Sequence, residues 1–190
     1  MIKTIDIKAG ETKNIYQYLS SAITPRPIAF VSSIDSNGNK NLSPFSFFNV
    51  FSVNPPILVF SPVRRVRNNT SKHSLENVSQ VKECVIALVT EEIVQQVSLT
   101  SCDFDAKTNE FIKGGFTELK SDVVLPPRVK ESPVNFECKI NDIISLGEQG
   151  GSGSLVLCEV LKIHINEDVL NNKEEIDPFK LNIVSRLGSN

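Results

Sequence analysis

A run of cations and hydroxyls, Arg64-Arg65-Val66-Arg67-Asn68-Asn69-Thr70-Ser71-Lys72-His73-Ser74, leads straight into Leu75, Val78 and Val81, which lie three apart on one helical face. A phosphate is held by cations, hydroxyls and free backbone N–H groups, and a helix N-terminus supplies the last of these. Lys72 and Ser74, with Arg67 nearby, meet that need at the start of the helix, so the segment reads as a phosphomonoester site. The plainer reading, a solvated loop with a Ser/Thr cap, stays open for this segment alone, because most charge runs are surface.

A second stretch points to the rest of such a ligand. Asn41-Leu42-Ser43-Pro44-Phe45-Ser46-Phe47-Phe48-Asn49 is apolar enough to be inside, yet it carries polar groups that a core strand would have to satisfy. A wall against a flat heteroaromatic ring uses both, with apolar faces on the ring and donors at its edge. Clustered Phe also builds ordinary cores, and that alternative stands beside the first. Together the two stretches describe a ring joined to a phosphate, which a flavin mononucleotide satisfies.

Other chemistry is harder to place. Gln149-Gly150-Gly151-Ser152-Gly153 has neither a helix behind it nor a Lys, so it is not a nucleotide-binding glycine loop. His73 and His164 are too isolated to build a nucleophilic triad, and the acids are too scattered to pair. Cys84, Cys138 and Cys158 lie in apolar runs and Cys102 in a polar one, with no metal-ligand spacing, so the expectation is reduced buried thiols and no metal. A net charge of −2 without a Lys/Arg tract argues against nucleic acid. No apolar run is long enough for a bilayer and Met1–Lys8 lacks a signal-peptide core, so no membrane and a cytoplasmic location are expected.

The elements that must position these residues are mostly strands. At 190 residues the chain reads as one domain, residues 1–190. An entry strand precedes a short helix around Asn14 to Leu19, and Pro25-Arg26-Pro27 holds Arg26 extended. Strands are predicted over Ile28–Ile34, Asn41–Asn49 and Ile57–Ser61, as a meander whose first turn draws a positive-φ pair from Asn37-Gly38. Cys84–Val89 is a further strand, and Thr90 can cap a helix that begins at Glu91. Residues 98–128 form a long polar connection, and 166–190 a polar C-terminal tail. Val134–Ile140 alternates, with Asn135, Glu137 and Lys139 on the exposed side, and Ser154–Ile165 is apolar on both faces. No βαβ rhythm recurs, so the sum is a small antiparallel barrel with a few short helices.

The chain resembles the flavin reductase-like family of FMN-binding split barrels, in its flavoredoxin-related branch. Arg26–Ser33, Asn41–Asn49 and Asn54-Pro55-Pro56 are similar to the family's opening strand, flavin-wrapping strand and following break. Lys72-His73-Ser74-Leu75-Glu76-Asn77-Val78 resembles its phosphate segment, with His73 in place of the usual Asp and Ser74 in place of Thr. Asn109-Glu110-Phe111, Gly114–Thr117, Glu137-Cys138, Glu159-Val160 with His164, and Arg186-Leu187-Gly188 are similar to later landmarks. Phe30 replaces a frequent Trp, and family members usually run on past the Arg-Leu-Gly to a Tyr.

The resemblance implies a mainly β fold, a Greek-key antiparallel split barrel, and a homodimer with FMN near the subunit interface. It implies an NAD(P)H-dependent flavin reductase that takes hydride from NADH or NADPH. Because the cofactor carries the chemistry, binders are expected and no catalytic residue is singled out. Asn41, Leu42, Ser43, Pro44, Phe45, Ser46 and Asn49 should hold the ring, and Ser61, Lys72 and Ser74 the ribityl phosphate. The alternatives are a flavoredoxin-type electron carrier reduced by a protein partner, a non-catalytic flavin- or haem-binding module, and a pyridoxamine-phosphate oxidase-like enzyme.

Overall fold

The computed structural model describes residues 1–105 and 108–188, so Ala106 and Lys107 of the expected connection and Ser189 and Asn190 of the expected tail lie outside the described residues. In chain order the elements are α1 (Thr12–Ala22), β1 (Arg26–Pro27), β2 (Ala29–Ile34), β3 (Lys40–Phe45), β4 (Phe48–Val53), β5 (Pro56–Phe60), α2 (His73–Val81), β6 (Glu83–Leu88), α3 (Val94–Leu99) and α4 (Glu110–Gly114). There follow β7 (Glu118–Leu119), β8 (Arg128–Val129), β9 (Val134–Ser145), β10 (Ser154–Ile165), α5 (Pro178–Leu181) and β11 (Ser185–Arg186). None of the described helices is long and apolar enough to cross a membrane.

Seven strands form one antiparallel sheet in the order β3-β2-β6-β9-β10-β5-β4. Its two edges, β3 and β4, are neighbours in the chain, joined only by Ser46 and Phe47. Laid flat, a sheet of that order would hold its edges about 29 Å apart. A link this short reaches about 10 Å. The sheet therefore has to curl until its edges meet, and it does so without a β3–β4 ladder among the described residues. The result is a barrel split along one seam, as the expected fold class required.

The barrel interior is filled by alternate residues, among them Ala29, Val31, Phe45, Phe60, Ile86 and Val156, with Val78 of α2 plugging one end. Phe30 and Leu42 point the other way, into a second core under α3, α4 and Phe116. Each such Phe, Leu or Ile contributes about 1.5–3 kcal/mol by leaving water. Burial on both faces explains why Ala29, Phe30 and Val31 of β2 are apolar in succession, without alternation.

Several expectations are corrected. The entry strand is absent: Met1–Asp6 carries no regular structure, and Ile7–Ala9 is a 3-10 turn. The predicted meander is two hairpins on opposite edges, because the 41–49 run breaks at Ser46-Phe47 instead of continuing. In the β2–β3 turn only Gly38 has positive φ, at 83°. The Asp35 carboxylate does the rest, accepting from the amides of Asn37 and Asn39. Thr90 bridges to Ile183 instead of capping a helix, and α3 begins later, at Val94.

Asn135 and Glu137 are buried, although alternation put them outside, because residues 121–129 fold back over that face of β9. The 98–128 connection holds α4 and β7, and the C-terminal region packs Val169 and Leu181 against Val134.

Candidate functional site

The seam between β3 and β4 opens into a cavity of about 370 Å³, within the range of small-molecule sites. Asn41, Ser43, Pro44, Phe45 and Ser46 line it from β3 and the link, and Ser61 from the end of β5. Lys72 and Ser74 line it from the start of α2. Leu42 and Asn49, also expected there, do not. Leu42 alternates into the second core and is fully buried, and Asn49 is exposed on β4, its side chain accepting from the Val50 amide.

The helix end is arranged for an anion. Lys72 is the N-cap of α2 and makes no side-chain cap bond. The first amides of a helix have no intrahelical partner, so this turn presents donors beside a cation. Burial lowers the Lys72 pKa and Asp103 pulls it back up, while Arg65 and Arg67 add to the lowering. The hydrogen bond from Arg65 holds the Asp103 carboxyl below its ordinary value, and Lys72 and Arg67 act in the same direction. The Ser74 hydroxyl proton is already committed, because it is donated to Asn41 Oδ1. The backbone amide is then the donor that Ser74 has left for a ligand.

Behind this lies a buried relay. Asn41 Nδ2 donates to Glu110 Oε1 at 2.7 Å, and the Leu42 amide to Glu110 Oε2 at 3.2 Å. Burial raises the Glu110 pKa, and these donors oppose the rise. The chain Glu110–Asn41–Ser74 thus couples α4, β3 and α2 in the lining of the cavity.

The basic loop is held from outside. Gly151 N donates to Arg64 O and Arg64 N to Ser152 O, so the β9–β10 turn clamps it. At Gly150 an added Cβ would stand 2.9 Å from the Val66 Cα, too close for any side chain. Gly150 of the glycine-rich turn is what permits this approach. Next to Phe47, which lines the cavity, Arg26 donates to Ile23 O at 2.8 Å, to Gly188 O at 2.6 Å and to Ser20 O, its guanidinium 6.0 Å from the Phe47 ring.

Sequence reading missed Tyr16, Arg65, Asp103, Glu110 and Arg186 as lining residues. Arg65 sat in the basic loop, and Glu110 and Arg186 in segments noted for their resemblance, so a signal existed for these. Tyr16 and Asp103 carried none.

Two other places gather polar and charged side chains. Asp122, Glu137 and His164 bring ligand atoms within 4.8 Å of one another. Glu137 already accepts from the amides of Asp122 (2.8 Å) and Val123 (2.7 Å), with His164 Nε2 at 2.6 Å. Lys162 lies 2.8 Å from Asp122 and Arg128 3.8 Å from Glu137, so both carboxylates are already ion-paired. This is an ion-paired clamp on β9 and β10. A wider hollow of about 740 Å³ near His164 mixes Lys130 and Lys180 with Glu131 and Asp168 and lacks an aromatic wall.

Residues 20–179 match the family described as Flavin reductase like domain. An uncharacterised protein of Aquifex aeolicus is 34% identical over 182 residues, covering 96% of this chain and 90% of that one. Nitrilotriacetate monooxygenase component B from Bacillus cereus has a similar structure, with a TM-score of 0.93, 28% identity, and coverage of 100% of this chain and 93% of its own. The 2-nitrobenzoate 2-nitroreductase NbaA of Pseudomonas fluorescens is also similar, with a TM-score of 0.83, 26% identity, and coverage of 98% and 89%. With the split barrel and its seam cavity in place, and a match over most of its length, the chain belongs to the flavin reductase-like domain family.

Proposed function

We propose that this protein binds FMN in the seam cavity and uses it as an NAD(P)H-dependent flavin reductase, as a homodimer. Family membership supports flavin as the ligand class and oxidoreduction as the reaction class. The observation that carries the finer reading is that one cavity is lined both by β3, with Phe45, and by a helix start without a side-chain cap, with Lys72 and Arg65 beside it. A ring with polar edges joined to a single phosphate matches both.

Bound there, the flavin would supply the ability to accept a hydride from a reduced nicotinamide and pass electrons on. The protein's own part is positioning. Ser43–Ser46 address the ring, Lys72, Ser61 and the amide of Ser74 the phosphate, and the Glu110–Asn41–Ser74 relay keeps the two sets in register. The homodimer is supported by a covering the isolated chain lacks: on the edge strand β4, Val50, Phe51 and Val53 are 58%, 70% and 86% exposed.

The test is the visible spectrum of the purified protein with added FMN, followed by anaerobic NADH or NADPH. Flavin bands that bleach support the proposal. Bands that bleach only with a low-potential protein donor would replace it with an electron carrier, and a protein that binds no flavin would refute it.

A further inference from the structure

The cationic end of the seam cavity is partly neutralised by the chain itself. Arg65 and Lys72 line the cavity, and Asp103 Oδ1 lies 3.1 Å from Arg65 Nε and 3.8 Å from Lys72 Nζ. The other oxygen, Oδ2, is 2.6 Å from Arg67, whose side chain is 66% exposed and which does not line the cavity. The carboxylate thus stands where an incoming anion would satisfy the two inner cations. It makes no other side-chain hydrogen bond or ion pair among the described residues.

We propose that Asp103 is an internal competitor for the ligand's phosphate, setting how tightly the flavin is held and keeping it exchangeable. The inference rests on the reading that FMN occupies this cavity. The division between the two oxygens supplies the route. A phosphate takes Arg65 and Lys72 from Oδ1, while Arg67 keeps Oδ2 and holds the displaced carboxylate at the rim. Arg65 does not follow, because its guanidinium also donates to Thr70 Oγ1 at 3.2 Å and to Ser71 O. Arg65 therefore keeps its place with or without Asp103. Without an internal anion, Arg65, Arg67 and Lys72 would present their whole charge to a phosphate and release it slowly. With it, part of the attraction is spent on exchange.

The test compares the full-length wild type with Asp103→Asn and Asp103→Glu by fluorescence titration with FMN and with riboflavin. Asp103→Asn should bind FMN about three- to tenfold tighter and release it more slowly, a partly exposed charge being worth that much. Its riboflavin affinity should match wild type, its FMN affinity should depend more steeply on salt, and Asp103→Glu should return FMN affinity towards wild type. A role for Asp103 in merely holding the loop predicts the opposite, with both ligands weakened together. An Asp103→Asn protein with unchanged or weaker FMN binding overturns the inference while leaving the proposed function standing. A wild type that binds neither ligand overturns both.

Discussion

Glu110 Oε1 accepts a 2.7 Å hydrogen bond from Asn41 Nδ2, joining α4 to β3 across 69 residues of chain in the lining of the cavity. The pair is buried, and Asn41 in turn accepts the Ser74 hydroxyl, so a change at Glu110 is felt at the start of α2. Gln at position 110 has one acceptor oxygen where the carboxylate uses two, Oε1 for Asn41 and Oε2 for Leu42. Glu110→Gln should therefore cost about 1–3 kcal/mol of stability. FMN and riboflavin should weaken to the same degree, because ring and phosphate ends are both displaced. Denaturant melts with parallel titrations of both ligands check this.

Burial raises the Glu110 pKa in the folded protein, so its contribution to stability is complete at low pH and is lost as pH rises through the raised value. Glu137 behaves in the opposite sense. Burial pushes its pKa up, but the amides of Asp122 and Val123 and the contact with His164 outweigh burial and leave it below 4.5. Its contribution is present above that value and is lost as pH falls through the depressed one. The melting temperature should accordingly fall on the acid side below about pH 4.5 in wild type. Glu137→Gln should lower it at neutral pH, by roughly 2 kcal/mol of stability, and flatten the acid limb.

Lys72 and Ser74 should separate by ligand. Lys72→Ala removes a cation at the helix start and should weaken FMN about tenfold, with riboflavin little changed. Ser74→Ala keeps the backbone amide and removes the bond to Asn41, so its smaller loss should be shared by both ligands. Losses of equal size for both ligands on Lys72→Ala would take the phosphate role away from that residue.

Gly150 should tolerate no side chain. Gly150→Ala would bring Cβ to 2.9 Å from the Val66 Cα and 3.2 Å from Arg65 O, which are backbone atoms of the basic loop. A cost of about 1–3 kcal/mol is expected, together with weaker FMN binding as Arg65 shifts. Thermal melts and FMN titration read the two effects separately.

Much of the barrel was legible in order along the chain. The strands at 28–34, 57–61 and 154–165, the helix after the basic loop and the buried thiols Cys84, Cys138 and Cys158 all follow from patterns that local chemistry dictates, namely periodicity, turn residues and apolar runs. The same local signals placed Ser43 to Ser46, Ser61, Lys72 and Ser74 near a ligand, and all of them line one cavity. Leu42 does not line it because β3 alternates and turns that side chain into the second core, and Asn49 does not because the run breaks at Ser46-Phe47 and leaves it exposed on β4.

The remainder depended on which distant segments meet. That the 41–49 run splits between two sheet edges is set by closure of seven strands, a property of the whole order and of no residue within the run. Glu137 is buried because residues 121–123 return over β9, and Asp103 faces Arg65 because a loop 38 residues away arrives at the cavity rim. Periodicity and residue type act over a few positions and are written in the sequence. Charge pairing, burial of polar groups and the walls of a cavity arise from contacts between segments far apart in the chain, and only the folded barrel brings those together.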